Sequence, residues 1–424
     1  MERKIMYDFR RWRQDNNHKP LLVYGAKQVG KTYSVLEFGE KEFKTTAYID
    51  CDNNLELQDI LRREKNIDKI LVKLSVLVGE PILKQDTLIV FDNVNDQELV
   101  SMIKRLGKEA PEYYVILITS LKENVLKFKG EELQYKYMTG LDFEEYLKAI
   151  NQSQLIDFIK ASCKNNKPMP FHNLAMDYYD NYIMSGGLPE AVKQSIENPN
   201  TLYLNLVHGK ILDSYQKELL HLTNLIDITR AKEAFDISPY QLMKPNRKFQ
   251  YGLMKSGSRS KEYENAIEFL SGNSFVNRAY KVSAISVPLS KNKEKDSFKL
   301  YASDTGLLFH MMHLNKIKYL SDDRLRYILY ENSIANSIVG CGYSLYYYQS
   351  EGKAEVPFIV QTRTGRTLPI ELVNKNVSKS KALTLVMNKF NLTEAIRFTE
   401  ENFHTKKGIK YIPFYASFCL KDLL

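Results

Sequence analysis

One octapeptide constrains this chain more than anything else in it. GAKQVGKT, running from Gly25 to Thr32, matches the pattern GxxxxGK[ST], follows the apolar run Leu21–Tyr24 and precedes a helical stretch. Strand, glycine loop and helix form the context in which that pattern holds a phosphate chain. Gly25 and Gly30 permit a backbone turn in which the loop residues Ala26, Lys27, Gln28 and Val29 aim N–H groups inward. The N-terminus of the following helix adds positive potential at the same place. Lys31 is placed to reach β- and γ-phosphates, and Thr32 to ligate Mg²⁺. Average residue usage produces such a string by chance in only ~1–2% of chains this long, so the plain alternative, a glycine turn with an exposed lysine, carries little weight.

A loop of this kind needs a carboxylate at the end of a neighbouring strand to hold the magnesium ion through water. Thr87–Phe91 followed by Asp92 supplies it, about sixty residues on, and makes Asp92 a candidate for the metal site and for catalysis. The next residue is Asn93, where many ATPases of this type carry a glutamate that activates the attacking water. An amide cannot accept that proton, so hydrolysis is slow or another group acts as base. The second strand-like run ends in Asp50, Cys51 and Asp52, and Asp50 or Asp52 could supply the missing carboxylate, although helix or turn capping accounts for both more readily. A further run, Tyr114–Ile118, ends in Thr119 and Ser120, whose hydroxyls could sense a γ-phosphate or simply cap a helix.

Around these motifs the first 140 residues alternate helix-length stretches with short β-branched runs at 20–24, 46–49, 87–91 and 113–119, which indicates a parallel sheet buried on both faces. Residues 141–235 read as mostly helical, with Gly186-Gly187 as punctuation, and are expected to form a helical lid. Residues 236–315 combine a helix at 261–271 with strand-like runs at 275–282 and 297–302 separated by a charged turn, the outline of a winged-helix module. Residues 316–424 continue with a helix at 329–339, strands at 344–349, 356–361 and 367–372, a helix near 381–390 and a last strand at 409–414, a second, mixed α/β domain.

Composition excludes several classes. With 424 residues, 44% hydrophobic and 26% charged, and with only 13 Pro and 19 Gly, the chain is neither disordered nor collagen-like. Its four cysteines form no CxxC pair, which argues against zinc ribbons and disulfide frameworks. The first residues show no apolar signal region, and no apolar run approaches the roughly 20 residues that span a bilayer, so a cytoplasmic protein without a membrane partner is expected. The net charge of +9 is unevenly spread: residues 1–200 carry 28 basic and 30 acidic side chains, residues 201–424 carry 32 and 21. The excess sits in the second half, where an anionic partner such as DNA, or a lysine-rich solvated surface, would account for it.

Part of that excess is concentrated. Residues 241–261 contain Lys244, Arg247, Lys248, Lys255, Arg259 and Lys261 and no acidic residue, interleaved with Phe249 and Tyr251. Such a segment could track phosphates with stacking aromatics, in which case six contacts give a log–log salt slope near −5 at about −0.9 per contact. It could instead face a neighbouring subunit of a homo-oligomer and send an arginine finger to its γ-phosphate, with Arg230, Arg247 and Arg259 as candidates. A solvated loop is the third possibility. His310 and His313, three apart on a short helical stretch, have no acidic or thiol companion nearby and are read as packing or surface residues rather than metal ligands.

Taken together these blocks resemble a known family, the prokaryotic AAA-type P-loop ATPases that carry a C-terminal uncharacterised domain related to restriction-endonuclease-like nucleases. The resemblance runs over nearly the whole chain: KPLLVYGAKQVGKT at 19–32, LDFEEYL at 141–147, GGLPEAV at 186–192, NRKFQY at 246–251, KLYASDTGLL at 299–308, LYENSIA at 329–335 and EVPFIV at 355–360. It implies binding of ATP with Mg²⁺, an AAA or STAND-like core and lid, and action as a molecular switch or motor. Two departures stand out. Asn93 replaces the family's glutamate. In the tail, a centre of the PD-(D/E)xK kind needs a helical glutamate, an aspartate on the next strand and Glu-x-Lys on the one after; Glu331 is present, but the aspartate position is Pro357, and Glu371 is followed two residues on by Val373. Gathering Mg²⁺ and orienting the attacking water needs those missing groups, so the tail is expected not to cut DNA. The expectation is therefore an AAA-type ATPase acting on an unidentified partner, or else a non-hydrolysing ATP-dependent switch or scaffold with an inactive nuclease-like tail.

Overall fold

The computed structural model describes every residue except 121–124, 126, 199, 222–224, 255, 256, 258, 352, 353 and 374–380. The chain forms two compact units: Glu2–Thr139 with Gly272–Ser274, and Gly140–Ser271 with Phe275–Leu424.

The first unit is built on a five-stranded parallel sheet of β1 (Leu21–Tyr24), β2 (Thr45–Asp50), β3 (Thr87–Asp92), β4 (Tyr114–Thr119) and β5 (Gln134–Tyr137). All six residues of β3 are buried and five of the six in β4, as expected for strands covered on both faces. The strand order is β2-β3-β4-β1-β5. The aspartate-bearing β3 is therefore not the immediate neighbour of the loop-bearing β1: β4 lies between them, and the register Tyr24↔Thr119 brings the end of β4 beside the start of the glycine loop. The four strands expected from sequence are present; β5 was not anticipated, because QYKY carries four half-buried positions and no apolar run. The helix Gln97–Glu109 shows how the covering layer forms. Asp96 caps it by accepting from Glu98 N, and Leu99, Ile103 and Leu106 recur at helical spacing on its buried face.

The second unit carries an eight-stranded mixed sheet in the order β12-β13-β11-β10-β9-β8-β6-β7. Its strands are β6 (Val276–Val282), β7 (Lys293–Ala302), β8 (Leu345–Gln349), β9 (Glu355–Gln361), β10 (Thr367–Val373), β11 (Ala395–Thr399), β12 (His404–Lys406) and β13 (Ile409–Pro413). β8, β9 and β10 run antiparallel in succession, and β10 pairs with β11 in parallel. The hairpin β6–β7, expected as the wing of a winged-helix module over 236–315, is instead the edge of this sheet, since β6 pairs in parallel with β8. The expected boundaries near 235 and 315 fall inside this one compact unit, whose larger hydrophobic core joins residues from Leu141 to Leu420 and whose smaller one gathers Val282, Leu289, Ile359, Leu383 and Ile409. The physical reason is that Tyr179 of a lid helix, Tyr301 of the hairpin and Tyr330 of the helix Asp323–Gly340 are buried together in the larger core.

Glycines hold that body together at one knot. Asp304 accepts from Gly187 N at 2.7 Å and from Leu307 N at 2.9 Å, and Leu141 N donates to Gly187 O at 2.6 Å. Burial raises the Asp304 carboxyl pKa, while the backbone N–H groups of Gly187, Leu307 and Gly306 pull it back. A Cβ on Gly306 would overlap the Ser185 carbonyl oxygen, and one on Gly187 would overlap that of Leu141. Gly306→Ala is accordingly expected to lower stability by about 1–3 kcal/mol through overpacking, read as a shifted denaturation midpoint with nucleotide binding retained. An unchanged midpoint would show that the knot yields freely.

Candidate nucleotide site

The site is assembled on the carboxyl ends of β1, β3 and β4, where ligands bind in open α/β sheets. Gly30 has φ 89° and stands at the N-cap of the helix Lys31–Glu42, a left-handed conformation that glycine adopts without penalty. Gly25 is required for a different reason: a side chain there would run into the carbonyl oxygen of Met138, whose N–H donates to Tyr24 O at 2.8 Å. Ala26 and Val29 are buried, Lys27 is half-buried and Gln28 is exposed with φ 65°. Arg3, buried and invisible to motif reading, fixes the loop from outside, its Nη1 donating to Val29 O at 2.8 Å and its Nη2 to Thr139 O at 2.7 Å.

Lys31 is almost fully buried, with Nζ donating to Gly25 O at 3.0 Å and Ala26 O at 2.8 Å. The ammonium thus already lies over the loop in which it is expected to meet the phosphates. Thr32 Oγ1 donates to Asp92 Oδ2 at 2.6 Å, which brings two oxygen ligands sixty residues apart to a single point. That pairing fits Mg²⁺, a hard cation that takes oxygen ligands and keeps several waters: Thr32 would bind it directly and Asp92 through water. Thr119 is buried at the end of β4, and Ser120 is half-buried beside it.

The edge of the site is supplied by β2. Tyr48 OH donates to Asp92 Oδ2 at 3.1 Å, and burial together with the Asp92 charge pushes its phenol pKa up. Asn93 sits at φ 56°, a left-handed conformation that Asn tolerates better than most residues. Its N–H donates to Asp92 Oδ1 at 2.8 Å and its Nδ2 to Asp50 Oδ1 at 2.9 Å. Asp50 also accepts from Asp52 N at 3.1 Å, so it both closes the turn after β2 and reaches the site. Tyr48 and Arg3 were missed from sequence; the alternation along TTAYID, which puts Tyr48 and Asp50 on one face, is the signal that could have found the first.

The basic segment behaves differently from expectation. Arg247 donates from Nη1 to Glu331 Oε2 at 2.7 Å and stacks over Tyr327 at 4.7 Å, so it is neither a finger nor a phosphate contact. Phe249 is buried and stacked on Phe298 at 5.4 Å, and Tyr251 packs edge-on against the same ring, which removes the expected base-stacking pair. Their packing against the hairpin ring of Phe298 accounts for the interleaving. Arg259 and Lys261 are exposed and Lys244 and Lys248 half-buried, whereas Lys255 lies outside the described residues. Arg230 is half-buried over Tyr263 at 5.5 Å. His310 faces Asn205 at 3.3 Å, with the ring of His208 5.8 Å away.

Glu331 itself is fully buried. Besides Arg247 it accepts from Tyr301 OH at 2.7 Å, and Lys299, also fully buried, lies 3.7 Å away and pairs with Glu355. Burial works to raise the Glu331 pKa, but Arg247 and then Lys299 overcome it and hold the carboxyl below its usual value. Glu371 pairs with Arg397 at 2.6 Å.

Residues 17–147 match the family model described as an AAA domain, and residues 176–318 match one described as a domain of unknown function (DUF8612). No curated protein matches the chain. Solved structures similar to it include Thermotoga maritima RuvB, described as a Holliday junction branch migration motor, at 11% identity over 66% of this chain and 90% of that one with a TM-score of 0.32. They also include the Aeropyrum pernix Orc1 protein in complex with DNA, at 10% identity over 75% and 92% with a TM-score of 0.29. Drosophila ORC bound to DNA follows at 14% identity over 72% and 93% with a TM-score of 0.27. The AAA-type P-loop character of the first unit stands on the family match and on its own loop and strand order. Among the described residues no helix is long and apolar enough to cross a membrane.

Proposed function

We propose that this chain binds ATP with Mg²⁺ and hydrolyses it slowly, as an AAA-type ATPase that works as a nucleotide-driven switch or motor on a partner. The observation that carries the reading is the convergence of Thr32 and Asp92 at 2.6 Å beside a glycine loop already covered by Lys31. In that arrangement Lys31 and the loop N–H groups of residues 26–31 bind and orient the phosphates, and Thr119 faces the γ-phosphate. Mg²⁺, held by Thr32 and through water by Asp92, supplies charge neutralisation when bound. A second reading, a switch that binds ATP and hardly hydrolyses it, is supported by Asn93, whose amide cannot take a proton from water.

The tail is assigned a scaffold role. Helix Asp323–Gly340, the antiparallel β8–β9–β10, helix Ala382–Lys389 and the parallel β11 have the order of a restriction-endonuclease-like core, which supports that kinship. Its carboxylates are neutralised internally, Glu331 by Arg247 and Lys299 and Glu371 by Arg397, which argues against cleavage chemistry. DNA stays a candidate partner through the remaining basic residues. With Arg247 removed, five contacts at about −0.9 each reduce the expected salt slope to about −4.5. The test is single-turnover ATP cleavage with and without DNA, alongside particle mass in each nucleotide state. Mg²⁺-dependent release of phosphate supports the ATPase; tight ATP binding with no release favours the switch; absence of nucleotide binding removes both.

A further inference from the structure

We infer that Asp50 is the carboxylate that activates the attacking water and that Asn93 positions it, the work of one residue being divided between two strands. The inference rests on the ATPase reading above and names the base that reading leaves open. Asp92 is committed elsewhere, since Thr32 and Tyr48 both donate to its Oδ2 and Asn93 N to its Oδ1. Asp96 caps the helix Gln97–Glu109. Asp52 is exposed in the turn, with its N–H on Asp50.

Asp50 differs from all three. The parallel register pairs it with Asp92, one strand spacing of about 4.8 Å away. It shares a strand face with Tyr48, and Tyr48 already reaches Asp92 Oδ2, so that face of β2 is turned toward the point where Thr32 and Asp92 meet. The side chain is exposed to water, and its Oδ1 is fixed by Asn93 Nδ2 and Asp52 N. Among the described residues nothing takes its Oδ2. Asn93 in turn cannot wander, because its backbone N–H is tied to Asp92 Oδ1 and its φ is 56°. A locked amide donor holding an exposed carboxylate beside the metal aspartate is a base with its orienting partner.

In the step, Asp50 accepts a proton from water while the water oxygen bonds to the γ-phosphorus. The bond from that phosphorus to the β–γ bridging oxygen breaks, with its electron pair leaving on ADP. The proton then passes from Asp50 to solvent.

The experiment measures binding of a fluorescent ATP analogue and single-turnover ATP cleavage, on the full chain with Mg²⁺. Asp50→Asn is expected to keep nucleotide affinity and to slow cleavage roughly 10²–10⁴-fold. The exchange D50N/N93D returns a carboxylate and an amide to the pair with their strands swapped, and is expected to recover much of the rate. Cleavage by Asp50→Asn at the wild-type rate overturns the proposal. So does a loss of affinity equal to the loss of rate, which marks Asp50 as a turn cap, and so does a wild type that binds the analogue without cleaving ATP. A wild type that fails to bind the analogue refutes the ATPase reading itself and is told apart by that measurement.

Discussion

Lys31→Ala is expected to weaken ATP binding by roughly one to three decades and to abolish turnover. The ammonium lies within hydrogen-bonding distance of two loop carbonyls, at 3.0 and 2.8 Å, in an almost fully buried position. Phosphate oxygens would replace those neutral acceptors with charged ones, and a charge-assisted bond contributes about 1.5–3 kcal/mol against about 1 for a neutral one. The net gain for two such replacements, about 1–4 kcal/mol, corresponds to roughly one to three decades in Kd at 1.4 kcal/mol per decade. The loop itself should survive, because its shape is set by Gly25, Gly30 and the Arg3 clamp rather than by Lys31. Calorimetric titration with ATP checks the binding, and a denaturation midpoint near wild type checks the fold. A Lys31→Ala protein that binds ATP as wild type does would remove the site from 25–32 altogether. Thr32→Ala makes the informative contrast, since it takes away the oxygen paired with Asp92 while leaving the ammonium in place. It should weaken the Mg²⁺ dependence more than the binding of nucleotide alone.

The nucleotide site was legible because its chemistry is local. Strand, loop and helix are consecutive, and Asp92 ends the apolar run of β3, where all six residues are buried. What was not legible is what long separation hides. Arg3 meets Val29 and Thr139 across 26 and 136 residues, and no composition signal marks it. The strand order, with β4 between β1 and β3, depends on packing that the run lengths do not encode. The basic segment is legible only in part for a related reason: a lysine or arginine in sequence carries a charge but not a burial. Arg247 has its partner 84 residues away, and the aromatics beside it were selected by the hairpin ring of Phe298. A winged helix was expected because helix and hairpin are adjacent in sequence; the parallel pairing of β6 with β8 crosses more than sixty residues and absorbs the hairpin into the larger sheet.

Arg247→Ala should be among the most destabilising changes available in the second unit, because it leaves Glu331 charged, fully buried and short of its closest cation. Breaking a buried ion pair from one side costs about 3–5 kcal/mol, whereas replacing both partners by apolar groups of similar size is often neutral. Arg247→Met with Glu331→Leu is therefore expected to recover most of what Arg247→Ala loses, and a double-mutant cycle on denaturation midpoints measures the difference. The pH dependence has a definite sign. Folded Glu331 has its carboxyl pKa held below the unfolded value of about 4.3, so its contribution is complete above that pH and is lost as pH falls through the lower folded value. In Arg247→Ala burial acts with less opposition and the carboxyl pKa rises, so the gap between variant and wild type should be widest at neutral pH and narrow below about pH 4. A gap that is flat with pH would mean that Arg247 stabilises through its stacking on Tyr327 and not through charge. The same substitutions bear on the tail's chemistry. If the guanidinium alone kept a metal from Glu331, its removal would permit metal-dependent cleavage of DNA; with Pro357 and Val373 in the strand positions, none is expected from either protein.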